Sequence, residues 1–217
     1  MSDDLTGLEL LYTTRAMRRL GTDPVDDDTV AKILDGAIRG PSGANRMRVR
    51  FVVVRDDERK VQIQVLYEQG LKELYSMTPP PPDPNDPAGP PNFAAIKTGD
   101  HLMEHLHEAP VLLFVLGLPG FMSTSFPIAW QACLTARSYG IGTTFTTALR
   151  FRQEEIDSIL GIPEDNPWEF HAMLPLGVPL GNWGLAKRPP VNRFTYDETF
   201  GNLVDWEIDE PYWNPAS

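Results

Sequence analysis

Runs with a helical spacing of apolar residues alternate along this chain with short β-branched and aromatic runs. Leu5, Leu8, Leu11 and Met17 set the first helical period, over residues 5–18. The string Thr13 to Leu20, with Arg15, Arg18 and Arg19, is expected to close that helix. After a proline-containing link at 23–28, Asp27 or Asp28 offers an N-cap for a helix buried through Val30, Ile33, Leu34, Ala37 and Ile38, with Gly40 as its stop. A strand follows over Arg48–Val54, then a long helix from about Asp57 to Met77. His101–His107 reads as helix and Val111–Val115 as a buried strand. Ser125 is placed to cap a helix with Pro127 in its first turn, apolar around most of its girdle from Ile128 to Ala136 and stopping at Gly140. A β-like stretch over Ile141–Thr147, a short amphipathic helix over Gln153–Leu160 and a strand over His171–Gly177 complete the pattern. Helices separating strands predict an α/β or α+β sheet covered by helices.

Two segments fall outside this alternation. The density of proline from Pro79 to Pro91 excludes a regular element, so residues 78–93 read as an irregular excursion, either a linker or a wall over a pocket. The tail 194–217 carries Trp206, Tyr212 and Trp213 among acids without a strong period, and wrapping a neighbouring subunit would bury those rings.

Length and composition narrow the class. A chain of 217 residues with 41% hydrophobic content predicts one globular domain over 1–217. The one cysteine, Cys133, excludes a disulfide framework and suits a reducing compartment. No leader pattern opens the chain and no apolar run reaches membrane-spanning length, which predicts a soluble, cytoplasmic protein. A net charge of −11 argues against a nucleic-acid partner. Yet 8 of the 19 Lys and Arg lie between Arg15 and Arg50, with a second group at Lys187, Arg188 and Arg193. Such clusters are either solvated faces or the two halves of a small-anion site.

The candidate chemistry begins with the loop Arg39-Gly40-Pro41-Ser42-Gly43-Ala44-Asn45. It is a helix stop with a turn, or a place where main chain approaches a flat polar ligand. His101-Leu102-Met103-Glu104-His105 matches the H-x-x-E-H zinc-peptidase pattern, but such a site needs a third protein ligand, and nothing downstream announces one. There is no G-x-S-x-G elbow and no phosphate-binding P-loop string.

Order and spacing of several short strings together resemble the nitroreductase family of FMN-dependent oxidoreductases over nearly the whole chain. Arg15-Ala16-Met17-Arg18 stands for an R-S-x-R string and Pro41-Ser42-Gly43-Ala44-Asn45 for P-S-x-x-N. Gly140-Ile141-Gly142, Leu160-Gly161-Ile162-Pro163, Leu174-Pro175-Leu176-Gly177-Val178-Pro179 and Lys187-Arg188-Pro189 follow in the family's order. The resemblance implies an α+β fold with a mostly antiparallel sheet flanked by helices, in an intertwined homodimer with two FMN sites at the interface. It implies that Arg15, Lys187 and Arg188 hold the FMN phosphate and that Arg18 sits by the pyrimidine edge of the ring. Pro41, Ser42, Ala44 and Asn45 would contact the ring edge or ribityl chain, with Ala16 also in the site. Phe145, Thr146, Thr147 and Ala148 would lie against the face opposite the substrate. The implied reaction is ping-pong: NAD(P)H reduces the flavin at N5, then a small aromatic acceptor such as a nitroaromatic or quinone is reduced.

Two departures stand out. Ala16 replaces the family's usual serine, and Asn-x-Gln-Pro-Trp reads here as Asn45-Arg46-Met47-Arg48-Val49. Arg46 and Arg48 are then either recruiters of an anionic substrate or surface residues flanking a strand. Alternative readings are a non-catalytic flavin-sequestering protein on the same fold, another reaction of the family such as dehydrogenation or dehalogenation, and a zinc hydrolase at His101, Glu104 and His105.

Overall fold

In the computed structural model, residues 5–77, 93–208 and 211–213 are described. Residues 78–92 of the proline-rich excursion, and 209–210 and 214–217 of the tail, lie outside them. Four strands form one antiparallel sheet in the order β1 (Val49–Val54), β2 (Val111–Gly117), β4 (Glu169–Gly177), β3 (Gly142–Thr143). Strand β2 is buried along its whole length, which its uninterrupted apolar run requires. Val111, Leu113 and Val115 join one apolar cluster with Val30 and Ile33 of α2 (Asp27–Ala37) and Ile128 and Ala132 of α5 (Met122–Ser138). Leu112, Phe114 and Leu116 join the other, with Ile63, Tyr67 and Leu71 of α3 (Asp57–Ser76) and Ile156 of α6 (Gln153–Leu160). The sheet is therefore covered by helices on both faces, the α+β arrangement expected.

The first helix is shorter than its period predicts. Helix α1 spans Gly7–Thr13 only. The hydroxyls of Thr13 and Thr14 donate to the carbonyls of Glu9 (2.7 Å) and Leu10 (2.6 Å), and Thr14 turns to extended backbone with ψ 122°. Residues 15–20 are consequently not a helical turn. They run extended, with the Met17 N–H donating to the Thr143 carbonyl at 2.8 Å and Leu20 bridged to Pro179.

Other boundaries move for equally local reasons. The N-cap of α2 is Asp26, whose carboxylate accepts the Thr29 N–H at 2.7 Å, leaving Asp27 to pair with Arg55 at 2.9 Å. Helix α5 begins at Met122, so Ser125 lies inside it. The Ser125 hydroxyl is fully buried and meets Nδ1 of His171 at 2.5 Å instead of capping a helix. Pro127 sits beyond the first turn and leaves the Ser123 carbonyl without its usual helical donor. The β-like stretch pairs only at Gly142–Thr143 and again at Thr146, which exchanges backbone hydrogen bonds with Met173 (3.1 and 2.9 Å). Helix α4 covers Phe93–His105, ahead of β2.

Candidate functional site

Two glycines determine where the arginine string lies. A Cβ on Gly142 would come within 2.9 Å of the Pro179 side chain and 3.0 Å of the Met17 Cβ. On Gly177 it would come within 3.0 Å of the Leu20 Cβ. Only hydrogen at these positions lets residues 17–20 lie flat on the sheet edge. Met17 points inward and is buried; Arg15 and Ala16 are exposed. Arg18, half-buried, directs Nη1 to the Thr98 hydroxyl of α4 at 3.4 Å.

The C-terminal cations are brought back to the same edge by main-chain pairing. Gly21 donates to the Val178 carbonyl (2.7 Å) and Leu180 to that of Arg19 (3.0 Å). Beyond this clamp, Arg188 lines a cleft of about 460 Å³ with Thr14, Leu11, Tyr12 and Trp130. Arg188 thus shares a cleft with Thr14, the residue preceding Arg15, although the two belong to opposite ends of the sequence. Arg15, Lys187 and Arg188 are exposed and have no hydrogen-bond or ion-pair partner among the described residues. By contrast Lys32, Arg39, Arg55, Lys72 and Arg152 are each paired with a carboxylate. A guanidinium left unneutralised at a cleft, as Arg188 is among the described residues, favours an anion that can accept its paired N–H donors.

The Pro41–Asn45 loop contains a short 3₁₀ turn at Gly43–Asn45 with two consecutive non-glycine residues in the left-handed region: Ala44 at φ 53° and Asn45 at φ 55°. Asparagine tolerates that conformation; alanine costs about 1–2 kcal/mol there. Nothing lies within 4 Å of where a Gly43 Cβ would stand, and Pro41, Ala44 and Asn45 are exposed with Ser42 half-buried. The loop is thus strained at Ala44 and open to solvent at Gly43. Next to it, Met47 packs on the α2/α5 cluster, as does Phe145. Arg48 stacks on the Phe121 ring at 4.1 Å, and Arg50 on Trp168 at 4.2 Å while donating to the Val49 carbonyl at 2.8 Å. Arg48 is therefore a strand-flanking residue held by an aromatic ring, and Arg46 is the exposed cation of the pair.

On the other side, Phe145 meets Phe126 edge-on at 5.2 Å and Ala148 is buried, its carbonyl packed against Gly70 of α3. The Thr146 hydroxyl faces the Tyr67 hydroxyl at 3.5 Å, and Thr147 is half-buried. Burial pushes the Tyr67 phenol above its ordinary range, with the Thr146 hydrogen bond and the Arg18 charge opposing that shift. Tyr67, set inside a helix period with no motif to mark it, thus meets Thr146 and lies within the field of the Arg18 charge. Arg137 and Trp183 were missed likewise: the arginine stacks on Trp183 at 4.1 Å and donates to the Thr13 hydroxyl at 2.7 Å. No described contact joins the Pro41–Asn45 loop to the arginine string within one chain.

The other chemical patterns resolve differently. The rings of His101 and His105 stack at 4.3 Å and His105 pairs with Glu108 at 2.9 Å. Among the described residues no three His, Cys, Asp or Glu side chains are grouped to hold a metal ion. Ser125, His171 and Glu169 form a hydrogen-bonded chain (2.5 and 3.0 Å), but Ser125 is wholly inaccessible, so the chain ties α5 to β4 and presents no nucleophile. The Trp213 ring packs on Tyr12 of the same chain at 5.7 Å. No helix among the described residues is long and apolar enough to cross a membrane.

Residues 11–178 match the family model described as the Nitroreductase family. A Methanothermobacter thermautotrophicus protein named as an NADH dehydrogenase/NAD(P)H nitroreductase is 29% identical over 187 residues, covering 82% of this chain and 79% of that protein. Iodotyrosine deiodinase bound to FMN and 3-iodo-L-tyrosine superposes with a TM-score of 0.66 at 21% identity, covering 83% of this chain and 94% of the other. A nitroreductase with bound FMN from Desulfitobacterium hafniense DCB-2 gives 0.64 at 20% identity, with 88% and 97% covered. At such identities the structural likeness establishes the fold.

Proposed function

This chain belongs to the nitroreductase family, and from that premise we propose that it is an FMN-dependent oxidoreductase using NAD(P)H to reduce nitroaromatic, quinone or related acceptors. The observation that carries the proposal is that Arg188 lines one cleft with Thr14, the neighbour of Arg15 in sequence, and that Arg15, Lys187 and Arg188 have no partner among the described residues. A phosphate monoester suits that set, because guanidinium groups present paired donors to its oxygens. Arg15, Lys187 and Arg188 would hold the phosphate. Pro41, Ser42, Ala44 and Asn45 would contact the ring edge or ribityl chain, with Ala16 beside them and lacking the hydroxyl usual at its position.

When bound, FMN supplies two-electron hydride chemistry, drawing from NAD(P)H and delivering to the acceptor in alternate half-reactions. The protein's own part is position and electrostatics. Arg18 places a positive charge near buried Tyr67 and half-buried Thr146, where it would favour negative charge on a ligand's polar edge. The run Phe145 to Ala148 would cover one ligand face, shielding it from water and leaving the opposite face to co-substrate and acceptor. No side chain is required as a conventional acid or base.

The site is completed, in this reading, by a second copy of the chain. Trp130 of α5, Leu8 and Leu11 of α1 and Tyr212 of the tail are exposed and apolar, and a homodimer through this surface would bury them. Residues 194–217 would reach over the partner, and the reaction would take place in the cytoplasm.

The deciding experiment is the absorption spectrum of the purified protein, before and after anaerobic NADPH. A yellow protein that bleaches with NADPH and recovers with a quinone supports the proposal. A flavin that stays oxidised would support sequestration, motivated by Met47 and Val49 standing where the family has glutamine and tryptophan. A colourless protein that takes up no added FMN would overturn both.

A further inference from the structure

Arg137 is the one buried arginine among the described residues, 7% exposed in the last turn of α5, and it faces no described carboxylate at hydrogen-bond distance. Desolvation of a guanidinium is costly, and here it is met by only two described contacts. One is the hydrogen bond from Nη2 to the Thr13 hydroxyl (2.7 Å), which in turn donates to the Glu9 carbonyl. The other is the Trp183 ring, 4.1 Å from the guanidinium carbon. Nε, itself buried, has no hydrogen-bond partner among the described residues.

Those two contacts lie on different arms of the proposed phosphate site. Thr13 ends α1 two residues before Arg15. Trp183 begins the irregular run that carries Lys187 and Arg188, and among the described residues no hydrogen bond anchors 181–189. A stack on a fixed cation is therefore what orients that run relative to the sheet edge.

We infer that Arg137 is a positioning residue: it does not touch the ligand, but sets Arg15 against Lys187 and Arg188 so that all three converge on one phosphate. This rests on the FMN reading above, and predicts a specific signature. Loosening Arg137 should weaken recognition of the phosphate while leaving recognition of the ring intact.

The test is titration of FMN and of riboflavin, separately, into flavin-stripped protein, wild type and variants, followed by flavin fluorescence. For Arg137→Met, FMN affinity should fall about tenfold, the equivalent of one charge-assisted contact, with riboflavin affinity unchanged. Arg137→Lys keeps the charge but not the planar stack, and should recover part of the loss. Thr13→Val and Trp183→Leu remove one arm's contact each and should both lower the FMN-to-riboflavin affinity ratio; they decide the matter if Arg137→Met does not fold. Equal losses for FMN and riboflavin, or an unchanged ratio, would overturn the inference in favour of a purely structural role. If wild type binds neither flavin, the FMN reading fails and this inference with it; wild-type binding with an unchanged ratio in the variants sinks the inference alone.

Discussion

Met17 donates its main-chain N–H to the carbonyl of Thr143 at 2.8 Å, and the Thr144 hydroxyl donates to the Met17 carbonyl at 2.9 Å. Both polar groups of one buried residue are thereby satisfied by the turn after α5. Of the residues on either side of it, Ala16 is exposed and Arg18 is half-buried and turned to Thr98, so the string is placed on the sheet edge by backbone pairing.

Substituting Gly142 should disturb this arrangement directly. A Cβ there meets three side chains at about van der Waals overlap distance, the nearest at 2.9 Å. Gly142→Val is expected to cost about 1–3 kcal/mol by overpacking, seen as a lower urea midpoint, and to weaken flavin retention on gel filtration. Unchanged stability would mean that residues 17–20 can lift off the edge freely.

Arg188→Ala removes one donor from a set that no carboxylate among the described residues neutralises. Loss of a charge-assisted hydrogen bond predicts a weakening of FMN binding by about 1.5–3 kcal/mol, measured by equilibrium dialysis. The same substitution at Lys32, paired with Asp28 on an exposed helix face, should leave FMN binding where it was.

Ala44→Gly relieves a left-handed alanine but adds freedom to the unfolded chain. The two terms leave a net gain of about 0.5–1 kcal/mol, read from chemical denaturation. A loss of stability would show that the loop's strain is already compensated in the unliganded protein.

Asp26 supplies an acid-sensitive component of stability. Hydrogen bonds from Thr29, the side chain first and then the backbone N–H, hold its carboxyl below the ordinary 3.8. Its folded-state pKa is depressed, so the unfolded chain takes up the proton first as pH falls. The cap's contribution is complete above 3.8 and is lost as pH drops through the lower folded value. Asp26→Asn retains an N-capping side chain without a titrating group, and its thermal midpoint should decline less steeply than wild type over that acid range. Parallel decline in the two proteins would assign the acid sensitivity elsewhere.

What could be read from the sequence was whatever is encoded locally. Gln153–Leu160 has its amphipathic spacing and a Gly161 stop, and α6 occupies those residues with Gly161 left-handed at φ 69°. The apolar run after Pro110 is β2, buried on both faces. The end of α1 was misjudged because the leucine period continues to Met17, while Thr13 and Thr14 turn their hydroxyls onto the preceding carbonyls and end the helix. Ser125 read as a cap because its partner, His171, is far away in sequence. The candidate site divides in the same way. Its arginines and the asparagine loop are marked by composition, whereas Tyr67, Arg137 and Trp183 acquire their roles only from residues brought near by the fold, and no spacing rule reports such meetings.

Every strand of the sheet is complete by Gly177, yet the main-chain clamp onto Arg19 and Gly21 begins at Val178. A polypeptide emerging from the ribosome can thus assemble its sheet before it possesses Lys187 and Arg188, two of the cations proposed above to hold the phosphate. Ligand capture is then a late event, and its binding energy acts to favour the finished molecule over every shorter intermediate of synthesis.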